Sequence, residues 1–236
     1  MNANLLIATV LLCGGFLSVK AGKLTFAGGL TGCIIGWFVF AGVGVAGLVM
    51  LASFFILATF ATSIGIDSKV QLGLIEDSKA PRTASQVFAN AGLAGIIGFL
   101  MLYFPQYVVV CRWMMGACFA SATSDTLSSE IGNAYGTKFY NILSLKKDKR
   151  GDNGVISLEG SVAGLAGTIC IAIEYFFYYG SMLQALFIVF TGTAGNFTDS
   201  ILSATLERRK LIGNDTVNFL NTATAAFIVL LLFLLQ

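Results

Sequence analysis

The sequence of 236 residues contains no histidine. This absence removes the commonest general base and the commonest zinc and haem ligand, and it excludes Ser-His-Asp catalysis. The five cysteines are odd in number, and they form no close-spaced pair of the kind that binds zinc. All five fall in apolar runs, so we interpret them as small core residues.

Charged residues are also scarce. They make up 11% of the chain, whereas hydrophobic residues make up 56% and the mean hydropathy is +0.84. Such a composition is too apolar for a soluble domain. It predicts an all-α, polytopic transmembrane helical bundle that forms a single domain over residues 1–236. No feature indicates nucleic-acid binding, and no P-loop or glycine loop of the soluble kinase type is present.

The apolar runs and the basic residues together predict about eight spans. Thirteen of the fourteen basic residues, all except Arg112, fall in alternate connections. By the positive-inside rule these connections are cytoplasmic, and both termini lie on the non-cytoplasmic side. The predicted cytoplasmic loops are about 67–82, 133–153 and 206–213. The predicted spans are 3–19, 25–40, 42–66, 83–104, 108–126, one from about 155, one ending near 205, and 214–236.

The first span carries its basic residues, Lys20 and Lys23, after the apolar run rather than before it. This order is the reverse of a secretory signal, so we expect a retained first helix. Nothing resembles a cleavable transit peptide either. The sequence therefore predicts an integral protein of a prokaryotic plasma membrane, with an active site that faces the cytoplasm.

The most informative polar segment, residues 124–132, closes the fifth apolar run. It contains Asp125 and Glu130 among four hydroxyl residues. A carboxylate within a span costs roughly 3 kcal/mol unless it faces protein, water or a cation. A second aspartate with hydroxyl neighbours, Asp199, closes the seventh run in a similar setting. The alternative for both aspartates is a buried acid that stabilises helix packing.

Several polar residues are expected at the same cytoplasmic helix ends, which makes them the candidate active site. Carboxylates and amides beside basic residues, with no soft ligand, suit Mg²⁺ and the phosphates that it bridges. For the lysines, the alternative is a solvated loop that obeys the orientation rule. The predicted catalytic and Mg²⁺-binding residues are Asp125, Glu130 and Asp199. The predicted substrate- and nucleotide-binding residues are Arg82, Gln86, Asn90, Ser129, Lys146, Lys147, Asn196, Ser203, Asn214, Asp215 and Asn218.

Small residues recur in two places. Gly28, Gly32 and Gly36 are spaced by four and predict a helix face for close packing. The runs 91–95 and 163–167 have the same sequence, Ala-Gly-Leu-Ala-Gly, and precede the two aspartates, so the chain contains either two duplicated helix hairpins or a chance repetition. A duplication would favour a secondary transporter or a lipid or anion carrier as the alternative function. A membrane scaffold is a third alternative.

Five sequence blocks occur in order along most of the chain. The blocks are Arg82 with 86–92, Asp125 and Thr126 with 129–132, Gly151 with Gly154, Val155, Ser157 and Gly160, then 199–205, and finally 214–219. Together they resemble the integral-membrane family that includes transmembrane protein 19 and plant phytyl-phosphate kinase. The chain departs from the family pattern at Pro81 and Ser203, where we expect glycine, and at Glu207, where we expect an amide.

The resemblance implies a transferase of isoprenoid metabolism. This would be a kinase that moves a phosphoryl group from a nucleoside triphosphate, with CTP favoured over ATP, to a prenyl monophosphate such as phytyl, geranylgeranyl or farnesyl phosphate. The expected partners are the prenyl monophosphate, the nucleotide and membrane lipids, with Mg²⁺ as cofactor. The acceptor is already an anion, so the reaction needs no strong general base. Prenyl chain length and the choice between monomer and homo-oligomer stay open.

Overall fold

The computed structural model describes residues 3–65 and 80–235. Most of the predicted loop 67–82 therefore lies outside the described residues. Eight long helices form one bundle in the described part of the chain, which confirms the predicted all-α fold class. The helices are α1 Ala3–Lys20, α2 Phe26–Val43, α3 Val45–Ser63, α4 Ala84–Met101, α5 Val108–Tyr135, α6 Leu158–Tyr179, α7 Met182–Leu202 and α8 Asn214–Leu234.

Seven of these helices are long and apolar enough to cross a membrane. The helix outside this set is α5, whose hydropathy is lowered by Arg112 and by the polar residues near its C-terminal end. It packs against α2, α3, α4, α6, α7 and α8, and Trp113, Met115 and Phe119 are fully buried. Because protein rather than lipid surrounds it, α5 can carry polar side chains that a lipid-facing helix cannot.

The polar segment at the end of α5 is helical, which corrects the predicted end of this span near residue 126. The helix continues to Tyr135, and Gly136 ends it. Thr126 Oγ1 donates to Ala122 O at 3.0 Å, and Ser128 Oγ donates to Asp125 O at 3.1 Å. The hydroxyls thus bond to their own helix, and they do not terminate it.

The predicted loop 133–153 contains the first strand of a small antiparallel hairpin. Strand β1, Phe139–Asn141, pairs with β2, Val155–Ser157. The sixth span was predicted to begin near residue 155, but β2 occupies this position and α6 begins at Leu158. Ser157 caps α6, since its Oγ accepts from Gly160 N at 3.1 Å.

Two of the three glycines predicted for close packing serve that purpose. A Cβ at Gly28 would lie 2.5 Å from Arg82 O, and one at Gly36 would lie 2.7 Å from Leu11 Cδ2. A Cβ at Gly32 would meet only Val87 Cγ1, at 4.0 Å. Gly32 therefore faces open space.

A π-helical turn, Ser203–Glu207, follows α7 without a break. In this turn Arg208 N donates to Ser203 O at 3.0 Å. The turn leads into the short connection to α8. π turns are rare in proteins and frequently occur at functional sites.

Candidate active site

A polar cavity of about 320 Å³ lies where the C-terminal ends of α5 and α7 meet the N-terminal ends of α6 and α8. The connection that runs into β2 completes its wall. Eight of the fourteen predicted site residues line this polar cavity. They are Asp125, Ser129, Glu130, Asn196, Asp199, Ser203, Asn214 and Asn218.

The two aspartates come from different helices and meet in the polar cavity. The carboxyl groups of Asp125 and Asp199 are in hydrogen-bonding contact. Asp199 is only 8% exposed, so bulk water does little to screen the pair. Two carboxylates within hydrogen-bonding distance of one another repel unless the pair binds a proton or a cation. The pair is therefore a suitable position for a hard cation.

A buried chain of hydrogen bonds supports Asp199. Asn221 Nδ2, on α8, donates to Asp199 Oδ2 at 3.5 Å, and Asn221 Oδ1 accepts from Ser121 Oγ on α5. Ser121 and Asn221 are fully buried. The chain links α5, α8 and α7, and it restricts the orientation of the Asp199 carboxylate. Neither supporting residue was predicted from the sequence, because a single polar residue in an apolar span also fits an ordinary interhelical contact.

Glu130 lines the polar cavity, but it lies on a different face of α5 from Asp125. It lies five residues after Asp125 on a continuous helix, which separates the two side chains by about 140° around the helix axis. In the described part of the chain, no three His, Cys, Asp or Glu side chains are grouped so that they could hold a metal ion. The three carboxylates of the predicted Mg²⁺ site are therefore not one cluster, and the Mg²⁺ site stays a proposal.

Arg82 lies beside Glu130, and its backbone is held on both sides by the connection between α1 and α2. Arg82 N donates to Lys23 O at 3.0 Å, and Thr25 N donates to Arg82 O at 3.0 Å. Its guanidinium donates to Thr62 Oγ1 at 3.4 Å. Burial lowers the pKa of Arg82, while the nearby Glu130 carboxylate raises it. Arg82 is thus a cation at the boundary of the polar cavity.

The two predicted residues of α4 line a different cavity. Gln86 forms a capping box with Thr83, and Asn90 Nδ2 donates to Gln86 O at 3.0 Å. With Arg82, they line a second, apolar cavity between α1, α2, α3 and α4. The structure therefore divides the predicted site residues between two neighbouring cavities.

Three predicted residues line neither cavity. Lys146 and Lys147 are exposed on the segment that follows β1, and Asp215 is half-buried in the first turn of α8. The basic residue of this segment that turns inward is Arg150. Its guanidinium donates to Asn133 O and lies over the Phe139 ring at 5.4 Å from the centroid. Both of these partners line the polar cavity.

The structure adds Glu207 and the glycine-containing connection 151–154 to the polar cavity. Glu207 accepts a hydrogen bond from Ser203 Oγ at 2.6 Å. In the sequence, it was noticed only as a departure from the family pattern. The connection contains Gly151 and Gly154 at φ values of 84° and 75°. Its glycine content was a usable signal, but in the sequence it was noted only as one of the family blocks.

The charge of the polar cavity is strongly one-sided. Five carboxylates line it, and among the described lining residues there is no lysine or arginine. The oxygen atoms of these carboxylates are hard metal ligands, which suit Mg²⁺. The donor set fits a divalent cation at the aspartate pair. The five lining acids are Asp125, Glu130, Asp152, Asp199 and Glu207.

The polar cavity occurs in a chain with recognisable relatives. Protein VTE6, chloroplastic, of Arabidopsis thaliana is 30% identical over 202 residues, which cover 82% of this chain and 61% of that protein. An uncharacterized membrane protein of Methanocaldococcus jannaschii is 28% identical over 231 residues, which cover 98% of this chain and 94% of that protein. Protein PGR of Arabidopsis thaliana is 24% identical over 229 residues. No solved structure matches the chain.

A family model shows the relationship over nearly the whole bundle. The model described as integral membrane protein DUF92 matches residues 9–226. This range contains both aspartates, the π turn and the hairpin connection. The match confirms the integral-membrane family that the sequence blocks predicted, and the chain is a member of the DUF92 family of integral membrane proteins.

Proposed function

We propose that the chain is a membrane-embedded kinase that transfers a phosphoryl group from a nucleoside triphosphate to a prenyl monophosphate. CTP is the favoured donor, as the sequence resemblance to the phytyl-phosphate kinase family implies. The observation that carries the proposal is the acidic polar cavity, in which Asp125 and Asp199 meet at the ends of two helices. The similarity to VTE6 over 82% of the chain supports it.

A nucleoside triphosphate would need a bound cation in order to enter this acidic cavity. A nucleoside triphosphate is an anion, and five lining carboxylates would repel it. Asp125 and Asp199 would hold Mg²⁺, with Glu207 and the hydroxyl of Ser203 next to them. The bound ion would neutralise charge on the phosphates during transfer.

The proposed reaction needs no general base. An anionic phosphate oxygen of the prenyl monophosphate forms a bond to the γ-phosphorus of the nucleotide. The bond from that phosphorus to the β,γ-bridging oxygen breaks, and the nucleoside diphosphate leaves with the electron pair. No proton has to be removed from the acceptor, so the lack of histidine does not hinder the chemistry.

Two features of the wall suit the nucleotide phosphates. Gly151 and Gly154 have left-handed backbone conformations, and successive N–H groups in such turns form concave anion sites. Arg150 lies behind the same wall through its contact with Asn133. These groups would position the phosphates, which is the main task of the protein in phosphoryl transfer.

The carrier hypothesis has less support. A carrier needs a polar path towards both membrane faces. The N-terminal half of α5 instead contains Trp113, Met115 and Phe119, which are fully buried in the apolar core. The described residues around this part of α5 pack as a core, so phosphoryl transfer is the better explanation of a polar cavity at one end of the bundle.

The test is incubation of the purified protein with Mg²⁺, labelled CTP or ATP, and phytyl, geranylgeranyl or farnesyl phosphate. We expect labelled prenyl diphosphate, and we expect Asp125→Asn to lower the rate by about 10²- to 10³-fold because it removes charge from the cation site. The control is Glu174→Gln, since Glu174 hydrogen-bonds to Ser53 on α3 outside the polar cavity and should leave the rate unchanged. Absence of diphosphate from every acceptor, or a fully active Asp125→Asn protein, would contradict the proposal.

A further inference from the structure

The second cavity is built mainly from hydrocarbon. It has a volume of about 270 Å³ and lies between α1, α2, α3 and α4. Leu11, Leu51 and Phe55 form much of its wall, and Gly14 and Gly32 leave parts of the wall without side chains. We call it the apolar cavity.

One wall of the apolar cavity is polar. Gln86 and Asn90 are spaced by four residues and share one face of α4, and Arg82 lies just before the N-terminus of this helix. Arg82 is the charged residue among the described lining residues. The buried Oδ1 of Asn90 has no hydrogen-bond partner. A cation and amides at the edge of a hydrocarbon cavity match a ligand that has an anionic head and an apolar tail.

Arg82 also connects the two cavities. It lines the apolar cavity, and its side chain interacts electrostatically with Glu130, which lines the polar cavity. A phosphate held by Arg82 would therefore lie beside the proposed nucleotide site, while its tail pointed back among the first four helices.

We propose that the apolar cavity binds the prenyl chain of the acceptor and that Arg82 binds the acceptor monophosphate. This inference rests on the proposed function, and it adds a determinant of specificity. The space between α1, α2, α3 and α4 limits the length of the prenyl chain that the protein accepts.

The affinity for the chain cannot come from hydrophobic transfer alone. The acceptor arrives from a bilayer whose lipid tails are as apolar as the cavity wall, so burial of the chain gives little net free energy. Selectivity must come from the fit of the chain and from the contact of its phosphate with Arg82. The two contributions can be tested separately.

The fit is tested by filling the cavity with a side chain. Gly32→Leu places a branched side chain where a Cβ meets only Val87, at 4.0 Å. We expect kcat/KM for geranylgeranyl monophosphate to fall at least about tenfold relative to kcat/KM for the shorter geranyl monophosphate. The control is Ala27→Leu, an exposed position on the same helix that is not part of the cavity wall, and it should keep the wild-type ratio. An unchanged ratio in Gly32→Leu would overturn the inference.

A binding measurement keeps the inference independent of catalysis. We would irradiate the protein in liposomes with geranylgeranyl monophosphate that carries a diazirine at the end of its chain. We expect labelled peptides from α1 and α3, and at least about tenfold less labelling with Arg82→Gln or with the matching prenyl alcohol. Equal labelling by the alcohol would show that any membrane lipid fills the cavity, and labelling elsewhere would also overturn the inference. Phosphate-dependent labelling of α1 and α3 in a protein that forms no diphosphate would refute the kinase proposal alone.

Discussion

The first four helices and the last four differ in the contacts that their side chains make. Close backbone packing at glycine occurs in both halves: a Cβ at Gly98 would lie 2.2 Å from Phe38 O, and one at Gly160 would lie 2.5 Å from Ser128 O. In the second half, polar side chains also bond across helices, as when Ser128 Oγ donates to Asn196 Oδ1 at 3.1 Å. Packing by shape tolerates many ligands of similar size, whereas directional bonds fix the positions of reacting groups. The difference matches the two proposed tasks, holding a chain and aligning phosphates.

The largest effect should come from breaking the directional bonds of the second half. Asn221→Leu removes the partner of both Asp199 and Ser121, while the leucine side chain is similar in size to asparagine. We expect the Mg²⁺ concentration for half-maximal activity to rise about 10- to 100-fold, because the carboxylate that would bind the ion loses its support.

Thr224→Val on the same helix is the matched control. It removes only a local hydrogen bond to Leu220 O, at 2.8 Å, and the Mg²⁺ dependence should not change. If Asn221→Leu lowers the unfolding temperature but leaves the Mg²⁺ dependence at the wild-type value, then Asn221 supports packing alone.

A smaller effect is expected from the backbone contacts of the first half. Gly98→Ala forces apart α2 and α4, because the added Cβ meets the backbone of Phe38 and Val39. The free energy of unfolding should fall by about 1–3 kcal/mol. Thermal unfolding in detergent measures it, and the Mg²⁺ dependence of the folded protein should stay unchanged.

Gly14→Ala is the control for this substitution. No atom lies within 4 Å of the added Cβ, and alanine favours the helix over glycine. Its unfolding temperature should be equal to or above that of the wild type. A destabilised Gly14→Ala protein, or an unaffected Gly98→Ala protein, would show that glycine contacts do not hold the first half together.

The smallest effect is expected from loss of an ion pair on the connection between β1 and β2. Arg208 forms an ion pair with Asp148 at 2.9 Å and joins this connection to the segment after the π turn. The N–H of Lys149 and then the hydrogen bond from Arg208 lower the pKa of Asp148. The stabilisation is therefore present at pH 7, and it is lost as the pH falls below the ordinary aspartate range of about 4.

Hydrogen exchange of residues 139–157 measures this stabilisation. Arg208→Gln should accelerate exchange at pH 7 by less than about tenfold, since the pair is partly exposed. Arg209→Gln makes the same charge change at an exposed neighbour and should have no effect. Protection that is independent of pH and of Arg208 would exclude a role for the ion pair.

The sequence was sufficient for the parts of the molecule that repeat a simple pattern. The apolar runs predicted the helices of the bundle to within a few residues, apart from the end of α5. That end was missed because the apolar run stops near residue 126, whereas a helix surrounded by protein can continue through polar residues. The strands of the hairpin are three residues each, too short to give a periodic signal.

The residue types of the candidate site could be predicted from the sequence, but the side chains that turn into it could not. The similar settings of Asp125 and Asp199 indicated two related acids, and the structure brings them into contact. Which basic side chain turns inward depends on tertiary packing, so Lys146 and Lys147 could not be distinguished from Arg150. The roles of all these residues in catalysis stay predictions.

The π turn Ser203–Glu207 gives the chain one residue more at this point than an α-helical turn would hold. Deletion of one residue there would convert the turn to an α-helical turn and leave the residues after it in nearly their present orientation. The same deletion inside α7 would rotate everything after it by about 100°, and Arg208 would then lose Asp148. Among natural relatives and engineered variants, a one-residue gap should therefore be tolerated at this turn and not within α7.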